Sequence, residues 1–218
     1  MKSITIALAK GRLADKATEL LTQAGYDCRV LQEDSRKLIF TNGDGSLRFI
    51  MAKPADVPTY VESGVADVGV AGKDTLLEDN RNLFEVLDLG FGACRLAVCG
   101  PIGFDLDDYS RGKLRVATKY PNVSRRYFAA EKHEAVEIIK LNGSIELAPL
   151  VGLSDVIVDI VESGRTLKEN KLDVLETVAA CSARMVVNQA SMKLKAGEIS
   201  TLIRRLRRVL GQDKERGV

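Results

Sequence analysis

The chain alternates compact apolar runs with stretches whose apolar residues return every third or fourth position. Ile4 to Ala9 is such a run and reads as a buried first strand. Leu13, Ala17, Leu20, Leu21 and Ala24 then mark one face of a helix that ends at Gly25. Asp34 to Phe40 runs into a strand, Asn42-Gly43-Asp44-Gly45 is a hairpin turn, and Leu47 to Ala52 is the returning strand. A short helix follows from Asp56, with Pro58 in its first turn and Gly64 at its end. Ala66 to Val70 is a strand, and Gly72-Lys73-Asp74-Thr75 opens the next helix. Phe84 to Leu89 and Ala93 to Cys99 read as strands, with Gly90 and Gly92 between them as a crossing point from one lobe to another. Beyond it the pattern gives a strand at Leu114 to Thr118, a helix at Val123 to Lys132 and a strand at Ala135 to Leu141. Leu175 to Ala180 and Arg184 to Asn188 are strands leading back to the first lobe. Ile199, Leu202, Ile203, Leu206, Val209 and Leu210 form the apolar face of a last helix, followed by a polar tail from Gln212. This order of elements predicts the α/β class.

One stretch, Glu146 to Leu167, organises the rest. Leu153, Val156, Ile157, Ile160 and Val161 fall at i, i+3, i+4, i+7 and i+8. That period predicts a helix from about Asp155 to Ser163, with Ser154 as N-cap and Gly164 just past the end. Asp155 and Asp159 would lie on its polar face. Ser163-Gly164-Arg165-Thr166-Leu167 then turns the chain. Two hydroxyls, a glycine that lets the backbone approach a ligand, Arg165 and the N–H groups of a following helical turn make an anion cradle. With Asp159 nearby to accept hydrogen bonds from hydroxyls, a sugar phosphate is the ligand such a turn would suit. An ordinary helix end followed by a polar turn is the plain alternative.

Charge and cysteine content narrow the class. There are 32 basic and 30 acidic residues, a balance too even for a protein built around nucleic acid. Any anion site must come from local placement. Lys10-Gly11-Arg12 supplies one, with two cations between a strand and a helix N-terminus. Arg36 and Lys53 lie at the ends of the two hairpin strands away from the turn, so pairing would bring them together. Thr118, Lys119 and Tyr120 again put polar and cationic groups where a strand gives way to a helix. Four cysteines without Cys-x-x-Cys spacing, and a single histidine, give no zinc or disulfide framework. His133 sits among charged residues and reads as surface. No apolar run reaches transmembrane length and no signal peptide is evident, so the expected setting is cytoplasmic, without membrane contact.

The stretch as a whole resembles the signature of the ATP phosphoribosyltransferase family. That signature is a Glu, five residues, Gly, a small residue, an Asp and Ser/Thr-Gly-x-Thr-Leu. Glu146, Gly152, Ser154, Ile157, Asp159, Ile160, Ser163, Gly164, Thr166 and Leu167 fill it in register. Lys10, Gly11 and Arg12 match the family's N-terminal Lys-Gly-Arg, which faces the pyrophosphate of phosphoribosyl pyrophosphate (PRPP). Arg36 matches its early arginine. Lys53 stands where many members have arginine and lacks the bidentate fork.

The resemblance runs nearly end to end. It implies a two-lobed, periplasmic-binding-protein-like α/β fold (type II) with the active site in the cleft between lobes. Lobe I would hold residues 1–91 and 181–218, and lobe II residues 92–180. The implied reaction joins ATP and PRPP, with Mg2+, to give N1-(5-phosphoribosyl)-ATP and pyrophosphate in the first step of histidine biosynthesis. By resemblance, Lys10, Arg12, Arg36 and Lys53 are the catalytic cations. Asp159 would take the ribose hydroxyls, Glu146 the ribose or the magnesium ion, Ser163 to Leu167 the 5′-phosphate, and Asp74 and Lys119 the ATP side. The chain stops at 218 residues, as in the family's short form. That form implies a homodimer within a hetero-oligomer with a histidyl-tRNA-synthetase-like regulatory subunit.

The sequence admits two other readings. One is a non-catalytic small-ligand sensor on a solute-binding-type fold, which two separate phosphate-friendly turns argue against. The other is RNA binding through Arg204, Arg205, Arg207 and Arg208 on the last helix. Near-neutral charge and the lack of interleaved aromatics argue against that.

Overall fold

The computed structural model describes residues 3–32, 35–108, 110 and 112–212. Asp34 and all but the first residue of the polar tail lie outside them. The chain forms two compact units, Met1–Gly92 with Ser182–Val218, and Ala93–Cys181.

Unit 1 is built on a six-stranded sheet. Its strands are β1 (Ile4–Ala9), β2 (Ile39–Thr41), β3 (Leu47–Ala52), β4 (Val68–Gly72), β5 (Phe84–Asp88) and, after unit 2 in sequence, β11 (Ala183–Val187). The spatial order is β2-β3-β1-β4-β11-β5. β1, β3 and β4 run parallel, while β2 and β11 run antiparallel to their neighbours. Ile6 and Leu8 of β1 face a core filled by α1 (Arg12–Gln23) and α8 (Ala196–Val209), including Ala17, Leu20, Leu21, Ile199 and Leu202. Ala7 and Ala9 face the opposite core with Val57 and Val61 of α2 (Val57–Glu62). Burial on both faces explains why β1 is apolar at every position but Thr5 rather than alternating. α3 (Lys73–Asp79) follows β4 directly.

Unit 2 has a five-stranded sheet in the order β10-β6-β9-β7-β8. Its strands are β6 (Cys94–Pro101), β7 (Arg115–Thr118), β8 (Glu137–Lys140), β9 (Val156–Val161) and β10 (Leu172–Cys181). β7 pairs in parallel with both β8 and β9, and β6 pairs antiparallel with β9 and β10. One face packs Ala97, Cys99, Ile157 and Val161 against Ala148 of α5 (Leu147–Leu150) and Leu167 of α6 (Arg165–Glu169). The other packs Val98, Val116, Val156 and Val158 against Phe128 of α4 (Pro121–Ala130).

The helix expected from Asp155 to Ser163 is instead the strand β9. Its six residues, Val156 to Val161, include five that are β-branched, which favours a pleated surface. It is a central strand with a core on each side, so nearly every position is apolar. A helical period laid over such a run finds apolar residues wherever it samples. Ser154 is therefore no N-cap. It is 3% exposed, and its Oγ has no hydrogen-bond partner. Asp155 is not on a helix face either: its carboxylate accepts from the Arg115 N–H at 2.8 Å and the Arg115 guanidinium at 2.7 Å.

The C-terminal part of unit 1 is tied down by a polar cluster that no periodicity reveals. Asp67, 5% exposed, accepts hydrogen bonds from the Thr5 N–H (2.8 Å), Ser191 Oγ (2.7 Å) and Lys195 Nζ (2.7 Å). Asn188 caps α7 (Gln189–Leu194) by accepting from the Ser191 N–H at 2.9 Å, and its amide donates to the Val61 carbonyl at 2.9 Å. Asp67→Ala would leave Ser191 Oγ without its acceptor and Lys195 with the Ser3 carbonyl alone. The expected loss is about 2 kcal/mol, below the cost for a fully buried pair because Lys195 keeps some solvent contact. Urea unfolding of the variant measures it, and an unchanged midpoint would contradict it.

Candidate active site

In unit 1 the expected site residues meet at the carboxyl edge of the parallel strands. β1 and β3 end in register, Ala9 opposite Ala52, and the Lys10 N–H then donates to the Ala52 carbonyl at 3.0 Å. Lys10 and Lys53 thus leave adjacent strands side by side. β2 runs the other way, and its pairing extends by a bond from the Met51 N–H to the Leu38 carbonyl at 2.8 Å. The segment carrying Arg36 therefore enters at the same edge. Arg12 begins α1, with Gly11 before it at φ 95°, a left-handed conformation that suits glycine. Asp74 lies in the first turn of α3 at the end of β4. Lys10, Arg12, Arg36 and Lys53 are exposed, and Asp74 is half-buried.

Neighbouring cations on this unit are committed elsewhere. Lys73 pairs with Glu85 at 2.6 Å, and Arg184 bridges Glu85 (3.3 Å) and Asp88 (3.0 Å). Lys10, Arg36 and Lys53 form no ion pair among the described residues. Clustered cations next to a helix N-terminus and open strand ends make a polyphosphate the natural ligand.

In unit 2 a second group gathers around the end of β9. Thr118 closes β7, and its hydroxyl donates to the Val158 carbonyl at 2.6 Å while accepting from the Tyr120 N–H at 2.8 Å. This pins the turn that carries Lys119, one residue past the Thr118–Val158 pair and so next to Asp159 in register. Asp159 is half-buried and pairs across β6 with Ala97. Glu146, also half-buried, is the residue before α5. Past the strand, Gly164 takes φ 73° and ψ 5°, a left-handed corner that starts α6. The Arg165 N–H leans on Ser163 Oγ at 3.4 Å, Leu167 is buried as an anchor, and Asn170 closes the turn on the Thr166 carbonyl at 2.8 Å. Ser163, Arg165 and Thr166 are exposed. The first N–H groups of a helix have no intrahelical acceptor, so this turn offers donors outward.

Cys99 reports on the charge around this group. Its thiol is pushed up to about 12, first by burial, then by Asp159, with Arg95 acting the other way and Asp173 and Glu146 adding to the rise. Three carboxylates and one guanidinium thus act on a single buried position. At neutral pH that thiol is protonated and buried, which rules out a thiolate nucleophile there.

A family model described as HisG, ATP phosphoribosyltransferase, matches residues 53–208. The chain belongs to the ATP phosphoribosyltransferase family. An ATP phosphoribosyltransferase of Ruminiclostridium cellulolyticum is 58% identical over 93% of this chain and 95% of that protein. One of Lachnoclostridium phytofermentans is 59% identical over 96% and 98%. Among solved structures, the ATP phosphoribosyl transferase (HisG:HisZ) complex from Thermotoga maritima superimposes with a TM-score of 0.83 at 37% identity, covering 96% of this chain and 100% of that one. The fold class is therefore the two-lobed, periplasmic-binding-protein-like α/β class of this family.

The cysteines give a test that needs no substrate. All four are free thiols; Cys28, Cys99 and Cys181 are buried and Cys94 is half-buried. Iodoacetamide at pH 8 should label Cys94 first and spare Cys99 until the protein unfolds. Peptide mass mapping after timed labelling checks this, and early modification of Cys99 would contradict its placement.

Proposed function

We propose that this chain's two groups of residues bind ATP and PRPP for the family's reaction, the first step of histidine biosynthesis. Adenine N1 attacks C1 of the ribose, the bond from C1 to the pyrophosphate oxygen breaks, and N1-(5-phosphoribosyl)-ATP and pyrophosphate form. Negative charge grows on the leaving pyrophosphate and positive charge on the ribose ring. Fixed cations are therefore the main stabilising term, with little call for a strong acid or base. Lys10, Arg12, Arg36 and Lys53 take the pyrophosphate and the ATP phosphates. The 5′-phosphate sits on the Ser163–Leu167 turn, Asp159 accepts from the ribose hydroxyls, and Asp74 and Lys119 serve the ATP side. The observation supporting this assignment is that Glu146, Asp159 and Leu167 of the turn gather around Cys99 on one face of the unit 2 sheet. The non-catalytic sensor reading is set aside.

The family needs a divalent metal ion. Among the described residues no three His, Cys, Asp or Glu side chains are grouped to hold one. That suits Mg2+, which prefers substrate phosphates and one or two carboxylates to an all-protein cage. Glu146 is the carboxylate for it. Bound there, the ion would neutralise charge on the leaving group. We also read the enzyme as cytoplasmic, in keeping with its four free thiols. It works in a hetero-oligomer with a histidyl-tRNA-synthetase-like regulatory subunit, as the HisG:HisZ neighbour suggests.

Incubation with ATP, PRPP and magnesium, with and without that subunit, should yield the phosphoribosyl-ATP adduct by mass spectrometry. Its absence in both tubes would sink the assignment. Arg36→Ala should lower kcat on the order of 10²-fold, the usual loss when one charge stabiliser is removed; an unchanged kcat removes Arg36 from the catalytic group. Thr166→Ala should raise the KM for PRPP far more than that for ATP. Equal effects on the two would move the phosphate cradle elsewhere.

A further inference from the structure

Arg95 is the second residue of β6, in a strand that is otherwise apolar or small as far as Gly100. Its place follows from register. β6 pairs with β9 without irregularity from Arg95 opposite Val161 to Cys99 opposite Ile157. Alternate residues share a face, so Arg95 lies with Ala97 and Cys99. Those two pack with Ile157, Val161 and Leu167, so theirs is the face that carries Asp159, α5 and α6. Arg95 therefore sits opposite Val161, two residues before Ser163, and diagonal to Asp159.

A second observation is independent of register. The Cys99 thiol, four residues along β6, feels the Arg95 charge. The Arg95 charge thus acts on this face of the sheet, the one that also carries Asp159. Arg95 is exposed, and it makes no hydrogen bond or ion pair among the described residues. Arg115 in the same unit is, by contrast, fully engaged with Asp155 and the Gly152 carbonyl. A phosphate dianion on the Ser163–Leu167 turn would be repelled by nearby Asp159. A cation delivered from the adjacent strand offsets that repulsion.

We propose that Arg95 is a further substrate-binding residue, whose guanidinium grips the 5′-phosphate of PRPP from the sheet while the Ser163–Leu167 turn holds it from the other side. This rests on the reading of that turn as the phosphate cradle. The planar fork of arginine suits two phosphate oxygens at once.

The test is calorimetry on the full chain, with ribose 5-phosphate and inorganic pyrophosphate as separate probes. Arg95→Ala should weaken ribose 5-phosphate about tenfold, the worth of one charged hydrogen bond, and leave pyrophosphate unchanged. Arg95→Lys, which keeps the charge without the fork, should fall between. In steady state Arg95→Ala should raise the KM for PRPP by a similar factor, with the KM for ATP unmoved. If Thr166→Ala weakens ribose 5-phosphate and Arg95→Ala does not, the role of Arg95 is overturned and the turn stands. If neither variant weakens it, the cradle reading falls and Arg95 with it. Equal loss of both probes in Arg95→Ala would also overturn the proposal, since it would mark a general charge effect.

Discussion

Strands buried on both faces leave room for polar chemistry mainly at their ends. β1 sends alternate residues into two separate cores, and β9 does the same in the other unit. A charge placed mid-strand would lose its water without a partner to replace it. Polar groups therefore collect where the strands stop. Lys10, Lys53 and Asp74 come within two residues of a strand end in unit 1, as do Lys119 and Ser163 in unit 2. Asp159 is the exception, a half-buried carboxylate inside β9. Its unit tolerates it two residues from the carboxyl end of that strand, with a guanidinium on the same face.

The same constraint decides what could be read from the sequence. β1, α1, the hairpin and the last helix were legible because local period, turn residues and burial agree there. β9 was not, because a strand apolar on both sides carries no period of its own. Val61-Glu62-Ser63-Gly64 and Val161-Glu162-Ser163-Gly164 make the point within one chain. Both glycines adopt nearly the same left-handed conformation, φ 74° and 73°, yet a helix precedes one and a strand the other. Local sequence set the corner, and tertiary burial set the element leading into it. The signature residues were legible as a pattern. That Lys10 lies beside Lys53, or Arg95 across from Val161, depends on register between distant segments and has no local trace. The cluster around Asp67 is hidden for the same reason, joining residues more than 120 positions apart.

The near-neutral net charge conceals a sorted surface. Lys73, Arg115, Lys132 and Arg184 are held by carboxylates that fasten one element to another. Lys10, Arg36, Lys53 and Arg95 carry the same charge without such partners among the described residues. A nearly even count of acids and bases thus yields structural clamps in some places and anion-seeking groups in others. Where the residue sits on the sheet decides which it becomes.

The route of the backbone also orders events in time. β5 has one neighbour in its sheet, β11, and β11 lies between β4 and β5. β5 ends at Asp88 and β11 begins at Ala183, 95 positions later. As the chain leaves the ribosome, β5 emerges without a strand to pair with and must wait while the whole of Ala93–Cys181 is made. The intervening unit is continuous and can close its own sheet first. The enclosing unit reaches its native strand order only once Val187 has emerged, so a ribosome stalled before that point would leave β5 and the edge of β4 open to wrong partners.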